Sequence, residues 1–287
     1  MEFNSFTFVF LFAILTSVLA LLWLNFRQDK AIKRSFNEVP DGFKETITLE
    51  DHQKAGNYTK AKLLVNHFEI IFSTFIVLVW TIGGAMNWLD VFWSQRISNP
   101  ILMGTTFIVS IMLIASFIDL PFSIYRNFVL EQKFGFNRMT VKTFITDLIK
   151  EILLTLILMI PLIYAILYLM NISSIGDYWW IYVWVIISLF TLTMMWIYPS
   201  FIAPIFNKFN PLDNDALKSR INNLLERTGF GSDGIFVMDG SKRSSHGNAY
   251  FTGIGKNKRI VFFDTLLKGM EDKEIEAILA HELGHFH

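Results

Sequence analysis

The sequence predicts a mainly α-helical protein, a polytopic membrane helix bundle followed by a small α+β domain. Of its 287 residues, 53% are hydrophobic and only 17% are charged, which is too apolar for a soluble chain of this length. Apolar residues come in blocks as far as residue 201, and charges are mixed among them afterwards. We therefore predict two domains, a transmembrane bundle over residues 1–201 and a second domain over residues 202–287.

Five windows of the N-terminal part are apolar enough to be membrane spans. About 20 such residues in a helix cross the hydrocarbon core, and Trp and Tyr gather at several window ends, as they do at membrane surfaces. The first window lacks the basic start of a secretory signal, so we predict that it is a retained span. The windows are Phe6–Phe26, Phe68–Leu89, Ile101–Tyr125, Ile152–Met170 and Tyr178–Phe201.

Basic residues alternate between the loops and predict an orientation, because Lys and Arg of short loops stay on the cytoplasmic side. The loop after the second window holds only Arg96, and the loop after the fourth holds no basic residue. The segments after the first and third windows are basic through Arg27, Lys30, Lys33 and Arg34, and through Arg126, Lys133, Arg138 and Lys142. We predict that the N-terminus lies outside and that residues 202–287 are cytoplasmic.

The C-terminal part carries the patterns of helices and strands. Residues 214–229 have apolar positions at helical spacing and end at Gly229, a typical C-cap. "GIFVMDG" predicts a strand, and residues 248–267 predict two strands joined by a turn, with Asp264 opening a short helix. The last segment, from Glu271, predicts a helix with an acidic first turn and a partial capping box between Glu271 and Glu274.

That last helix ends in the sequence His-Glu-Leu-Gly-His. His281 and His285 are four residues apart, so a helix would project both imidazoles from one face at a spacing that suits one zinc ion. Glu282 would lie beside them as the general base that takes a proton from water and returns it to the leaving amine. The alternative is a solvated helix face, but the predicted strand pair before it and Gly284 within it favour a metal site.

The other histidines carry weaker signals. His287 is two residues past His285 and would point away from the ligand face. His52 and His67 are isolated and are expected to be ordinary surface or interfacial residues. His246, in "SSHGNAY", lies beside a predicted strand and is a candidate substrate contact.

Four blocks of the chain resemble the type I CAAX prenyl endopeptidases, membrane zinc metallopeptidases of the gluzincin group. The blocks are "FVLEQKFGFNRMT" (Phe128–Thr140), "YPSFIAPIFNKFNPL" (Tyr198–Leu212), "RSSHGNAYFTGIGKNKRIVFFDTLL" (Arg243–Leu267) and "AHELGHFH". They occur in the family's order from the third span to the end, and together they are far more specific than the zinc motif alone.

The resemblance implies seven membrane helices around a water-filled chamber, closed on the cytoplasmic side by the zinc domain. The family removes the last three residues of isoprenylated proteins after the modified Cys. His281 and His285 match its zinc ligands, Glu282 matches its general base, and Asn248, Ala249 and Tyr250 match the edge strand on which the substrate backbone is thought to lie. For Asn248 a plain turn role remains an equal alternative.

The family's third zinc ligand is a Glu beyond two further spans, so this chain resembles the first two thirds of such an enzyme and one zinc would need a protein ligand beyond residue 287. The alternative is a membrane scaffold or partner-binding fragment without hydrolysis. A stress-type membrane zinc protease shares the chemistry but resembles the chain mainly around the zinc helix. Expected partners are a peptide or protein substrate, isoprenylated or not, and the bilayer, but no nucleic acid. The membrane would be the inner membrane of a bacterium or the endoplasmic reticulum of a eukaryote.

Overall fold

The computed structural model describes residues 4–253 and 258–284, with the backbone alone at residues 173–175. The helices are α1 (Ser5–Ser35), α2 (Leu49–Trp80), α3 (Ala85–Ser94), α4 (Pro100–Tyr125), α5 (Val141–Asn171), α6 (Trp179–Ile197), α7 (Ala203–Phe206), α8 (Asp215–Thr228), α9 (Asp264–Gly269) and α10 (Asp272–Gly284). The strands are β1 (Phe209–Pro211), β2 (Ile235–Met238), β3 (Ala249–Thr252) and β4 (Arg259–Phe263).

The long helices begin where a polar side chain can satisfy the first free amides. Asn4 accepts from the Thr7 amide at 3.0 Å, and Asn99 accepts from the amides of Ile101 and Leu102, which follow Pro100. Thr48 and Thr140 cap α2 and α5 in the same way, each accepting from the amide three residues on at 3.1 Å. These caps fix the starts of four of the membrane helices.

In the part of the chain that the structure describes, five helical segments are long and apolar enough to cross a membrane, which confirms the predicted number and the predicted fold class. They are Ser5–Ser35, Leu49–Trp80, Pro100–Glu131, Val141–Asn171 and Gly176–Phe206. The third and fifth segments pass into turns of π-helix, at Arg126–Glu131 and Tyr198–Ile202. Such turns are rare and occur often at functional sites.

The predicted second window, Phe68–Leu89, was wrong in its extent. α2 ends at Trp80, and the apolar residues that follow belong to a turn and to the separate helix α3. Gly84 has a φ of 81°, and a side chain on Gly83 would meet the Val79 carbonyl oxygen at 2.7 Å. These glycines therefore suit a sharp turn, which hydropathy alone does not register because α3 is also apolar.

The residues group into two compact units, the first formed by the chain up to Met103 together with Phe117–Leu130. In this unit α1 packs on α2, and the Asn66 amide group donates to Asn25 Oδ1 at 3.2 Å. Arg126 pairs with Glu69 and lies 3.2 Å from Asp119. Charged groups within spans are costly and are normally paired, as they are here.

The second unit, Gly104–Ser116 and the chain from Glu131, contains a four-stranded sheet in the order β1-β2-β4-β3. β2 and β4 are parallel, and the two outer strands are antiparallel to their neighbours. One face of the sheet packs with α8 and α10 around a core that contains Ile260 and Phe262, both fully buried. The predicted helix 214–229, its Gly229 cap, and the predicted strands and short helix are thus confirmed.

Candidate active site

α10 presents the first half of the zinc motif. Ile275, Leu279 and Leu283 recur every four residues and are almost fully buried, so this face of the helix is fixed against the core. His281 lies two residues past Leu279, on the opposite side, and is exposed, whereas Glu282 is half-buried beside the core face. At the other end of α10, Glu274 accepts from the Glu271 amide at 2.8 Å, the predicted partial capping box.

His285, like His287, lies outside the described residues. Within residues 4–253 and 258–284, no three His, Cys, Asp or Glu side chains come together to hold a metal ion. Of the predicted zinc motif, α10 therefore carries His281 and Glu282, while His285 follows four residues after His281 in the sequence. Imidazole nitrogen is a ligand that zinc prefers, so the donor set fits zinc but supplies two ligands rather than three.

β3 is an edge strand, and it contacts α10. The Phe263 amide donates to the Asn248 carbonyl at 2.9 Å, so residues 248, 250 and 252 direct their main-chain groups to β4. The alternation leaves the main-chain groups of Ala249 and Phe251 directed to the other side, where no strand pairs within the described part of the chain. This open edge can accept a further extended peptide.

The three predicted residues of the substrate strand have different surroundings. Asn248 is exposed, and its Oδ1 accepts from the amide of Ala249 at 2.9 Å, so it covers one donor of the open edge. Ala249 is buried in the core between the sheet and α10. Tyr250 faces the other side of the sheet, and burial, with a smaller contribution from Tyr198, raises the pKa of its hydroxyl to about 12. Tyr250 is therefore neutral at physiological pH.

His246 lies just ahead of the strand and is held by the segment that follows α4. Its Nε2 is 3.2 Å from Glu131 Oε2, and its ring stacks on Phe136 with centroids 4.2 Å apart. The carbonyl of His246 accepts from the Thr265 hydroxyl at 2.8 Å. The structure thus gives His246 two side-chain partners that the sequence did not predict.

Arg243 ties the same loop to two membrane helices. Its Nε is 2.8 Å from Asp147 Oδ2 on α5, and its Nη2 donates to the Phe206 carbonyl at 2.8 Å, at the end of α7. Its Nη1 also contacts Asn207 Oδ1. The side chains of Arg243 and Asp147 are 21% and 11% exposed, so this ion pair is largely withdrawn from water.

Asp264 hydrogen-bonds to Ser241, which lies in the same loop between β2 and β3 as Arg243. Its carboxylate accepts from the Ser241 amide at 2.8 Å and from the Ser241 hydroxyl, and Lys268 Nζ lies 3.7 Å away. Burial alone would raise the pKa of this carboxyl, but the two Ser241 hydrogen bonds and Lys268 outweigh it and hold the pKa below its usual range. Asp264 is therefore charged across the physiological range.

A cavity of about 460 Å³ lies on the face of the sheet away from α10. Its wall includes Asp147 and Glu151 of α5, Arg243, and Met238 and Phe263 of the sheet. A second, mainly apolar cavity of about 160 Å³ lies between α4 and α5 and is also lined by Glu151. The two cavities therefore share a wall on α5, formed by Glu151 and Thr155, and both are mainly apolar.

The structure brings some of the predicted site residues together and adds two residues that were not predicted. The structure brings α10, with His281 and Glu282, against the strand that contains Ala249. Two residues that the sequence did not single out contribute to the loop before that strand: Glu131 contacts His246, and Arg243 joins the loop to Asp147. Both lie in blocks that resemble the family. Only the resemblance of those blocks to a known family could have pointed to them.

Known protein families match both the membrane helices and the C-terminal part of the chain. The family model of the CAAX prenyl protease N-terminal region, described as five membrane helices, matches residues 28–208, and the model of peptidase family M48 matches residues 211–287. The CAAX prenyl protease 1 homolog of Dictyostelium discoideum is 38% identical over 274 residues, and CAAX prenyl protease 1 of Saccharomyces cerevisiae is 37% identical over 278 residues. Each alignment covers 92% of this chain, and 63% and 60% of those proteins.

A solved structure is similar over nearly the whole chain. The crystal structure of S. mikatae Ste24p matches with a TM-score of 0.86 and 36% sequence identity, over 95% of this chain and 65% of that one. The chain thus spans a little under two thirds of the length of these relatives. The family predicted from the four sequence blocks is confirmed: the chain belongs to peptidase family M48, with the N-terminal region of the CAAX prenyl proteases.

Proposed function

We propose that this protein is a zinc-dependent membrane endopeptidase that hydrolyses peptide bonds at the junction of α10 and β3. The observation that carries the proposal is the contact between the helix of the zinc motif and an edge strand whose outer side is open. A protease of this kind needs a metal, a base and a place for an extended substrate. The zinc motif that begins on α10 supplies the first two requirements, and β3 supplies the third.

His281 and His285 would hold the zinc ion, and a third protein ligand beyond residue 287 would complete the set that catalytic zinc sites use. When bound, zinc polarises the scissile carbonyl and makes water a better nucleophile at neutral pH. Glu282 would take the proton from the attacking water and pass it to the leaving amine. In the structure Glu282 is half-buried on α10, next to His281 in the sequence.

The substrate would add to the open edge of β3. The outer side of β3 pairs with no other strand in the described part of the chain, and Asn248 would have to release the Ala249 amide to complete the pairing with a substrate. Main-chain pairing holds a peptide in register without regard to its side chains. It therefore suits an enzyme that reads a modified terminus rather than a sequence.

The substrate class follows from the names of the relatives, which are CAAX prenyl proteases. We propose the C-terminal tripeptide of isoprenylated CAAX proteins as the cleaved segment. Two mainly apolar cavities that share Glu151 and Thr155 are compatible with a substrate that carries a lipid. The alternation of basic loops supports a cytoplasmic zinc domain and an outside N-terminus, with the endoplasmic reticulum as the membrane in a eukaryote.

The test is to express the protein in membranes, purify it, and measure zinc by elemental analysis and cleavage of an isoprenylated C-terminal peptide. Glu282→Gln should keep the zinc and lose cleavage by a factor on the order of 10²–10⁴. His281→Ala should lose both zinc and cleavage. Ala280→Ser, an exposed neighbour on α10, is the matched control and should keep both.

Two results would contradict the proposal. Cleavage that survives Glu282→Gln would remove the base from the mechanism. A well-folded protein that neither binds zinc nor cleaves the peptide, with a reading frame that does not continue into two more spans and a Glu-bearing helix, would favour the membrane scaffold instead.

A further inference from the structure

We propose that α1 and α2 carry a binding site for anionic lipid headgroups at the level where both helices leave the membrane. The site lies wholly in the first unit. We call it the basic collar. It consists of Arg27, Lys30, Arg34, Lys60 and Lys62.

The apolar stretch of α1 fixes the depth of the collar. Ser5–Phe26 rises about 33 Å as a helix, close to the thickness of the hydrocarbon core. Arg27 follows at once, and its guanidinium lies 4.9 Å from the ring centroid of Trp23. Trp is enriched at the headgroup level, so the first cation of the collar stands at the membrane surface.

α2 brings its own cations to the same depth. The hydrogen bond between Asn66 and Asn25 sets the antiparallel register of the two helices, and Gly56 packs against Phe36 in agreement with it. In that register Lys60 and Lys62 lie opposite the α1 turn that contains Lys30. Two helices thus contribute to one ring of positive charge just outside the hydrocarbon.

The cations of the basic collar form no ion pairs with acidic side chains of the described residues. None of its five cationic groups lies within 4 Å of a carboxylate in the part of the chain that the structure describes, whereas Lys33 pairs with Asp29 at 2.5 Å. Arg27, Lys30 and Arg34 are spaced by three and four residues, so they share one face of α1, and all three are exposed. Five unneutralised cations at one depth favour an anion that is fixed at that depth.

Aromatic rings prepare the cations for this role. Lys60 Nζ lies 4.0 Å from the ring centroid of Phe36, and Lys62 Nζ lies 5.2 Å from that of Tyr58. In these cation–π contacts each ring faces one side of an ammonium group, which has three N–H donors and can still bind an anion on its other side. Orientation during membrane insertion explains why basic residues are on this side, but it requires neither a shared depth nor an absence of acidic partners. The phosphates and carboxylates of lipid headgroups are negatively charged and lie at the same level of the membrane as these cations.

The test compares lipids retained by the purified protein in mild detergent, measured by native mass spectrometry with phosphatidylserine and phosphatidylcholine at equal concentration. The wild-type protein should retain phosphatidylserine preferentially, and less of it as salt rises. Each Lys or Arg near an anionic surface strengthens binding about fivefold, so the triple variant Arg27→Gln, Lys30→Gln, Arg34→Gln should bind on the order of 100-fold more weakly. The charge-matched control is Lys218→Gln, Lys242→Gln, Lys273→Gln, three exposed residues outside the membrane helices, and it should bind as the wild type does.

Further variants keep the test decisive if the triple variant fails to insert. Lys60→Gln with Lys62→Gln should weaken binding about 25-fold, and Arg27→Lys with Arg34→Lys, which keeps the charge, should leave binding unchanged. Equal retention of the two lipids by the wild type would overturn the proposal. So would a loss of binding in the control variant, or full displacement of the lipid by soluble glycerophosphoserine at the lipid's own concentration, which would indicate a site for a free anion.

Discussion

Replacement of Arg243 tests whether one guanidinium joins the loop before β3 to the membrane helices. Its three hydrogen-bond partners are Asp147, the Phe206 carbonyl and Asn207. Loss of one partner from a buried ion pair costs about 3–5 kcal/mol, because the other charge stays buried without compensation. Asp147 is 11% exposed, so some water can reach it. We therefore expect Arg243→Ala to cost about 3 kcal/mol.

The assay is thermal unfolding of the purified protein in detergent. About 3 kcal/mol corresponds to a decrease of roughly 6–12 °C in the unfolding midpoint for a unit of this size. Arg243→Lys keeps the charge but not the planar fork, so it should lie between wild type and Arg243→Ala. Lys242→Ala, the exposed neighbour, is the control and should shift the midpoint very little.

A double-mutant cycle decides whether the ion pair is the cause. If it is, Arg243→Ala combined with Asp147→Ala should be less destabilising than the sum of the single changes by more than about 1 kcal/mol. Additive effects would show that Asp147 contributes nothing through Arg243, and an Arg243→Lys variant as stable as the wild type would show that the fork is not needed. Either result would refute this account of the loop.

Three further predictions follow from other parts of the second unit. Asp264→Asn should lower the unfolding midpoint at pH 7. Because the pKa of Asp264 is depressed in the folded state, its stabilisation is present above the unfolded pKa of about 3.9 and is lost as pH falls through the folded pKa. The difference in midpoint from the wild type should therefore shrink below about pH 4, and a constant difference would contradict this. Leu279→Ala should cost about 2–5 kcal/mol, since this side chain is 1% exposed, whereas Ala280→Ser on the exposed face should cost less than about 0.5 kcal/mol in the same melting experiment. If substrate pairs with β3, N-methylation of alternate peptide amides should raise KM up to about tenfold while the intervening amides tolerate it, and equal sensitivity at every position would exclude the pairing.

Local physics explains which parts of the fold could be predicted from the sequence. Hydropathy over about 20 residues found all five membrane helices, and the spacing of Leu217, Ile221 and Leu225 found α8 and its buried face. Hydropathy did not predict where two of the helices end, because it registers apolar composition and not turns of the backbone. It joined the end of α2 to α3 across the turn at Gly84, and it stopped α1 at Phe26 although the helix continues through polar residues to Ser35.

For the candidate site, too, local patterns could be predicted from the sequence and contacts between distant segments could not. The spacing within α10 predicts the metal-binding face because a helix relates residues four apart, and no distant contact is needed for that inference. The partners of His246 and Arg243 come from segments about 100 residues away in sequence, Glu131 and Asp147. No local pattern encodes such pairs, so they become visible only when the chain is folded.

The family blocks themselves meet at the start of β3, which gives the resemblance a physical basis. The Arg138 amide donates to the Arg243 carbonyl at 3.0 Å, and the Ser245 amide donates to the Phe136 carbonyl at 3.0 Å, so the first block is joined to the third by main-chain bonds. The Phe206 carbonyl, in the second block, accepts from Arg243. Three separate stretches therefore position one strand, while the fourth carries the zinc motif on the helix beside it. Because the first two blocks hydrogen-bond to the loop before β3, we expect substitutions in them to change KM for the peptide while zinc content stays the same. A loss of zinc without a change in KM would contradict this division of roles.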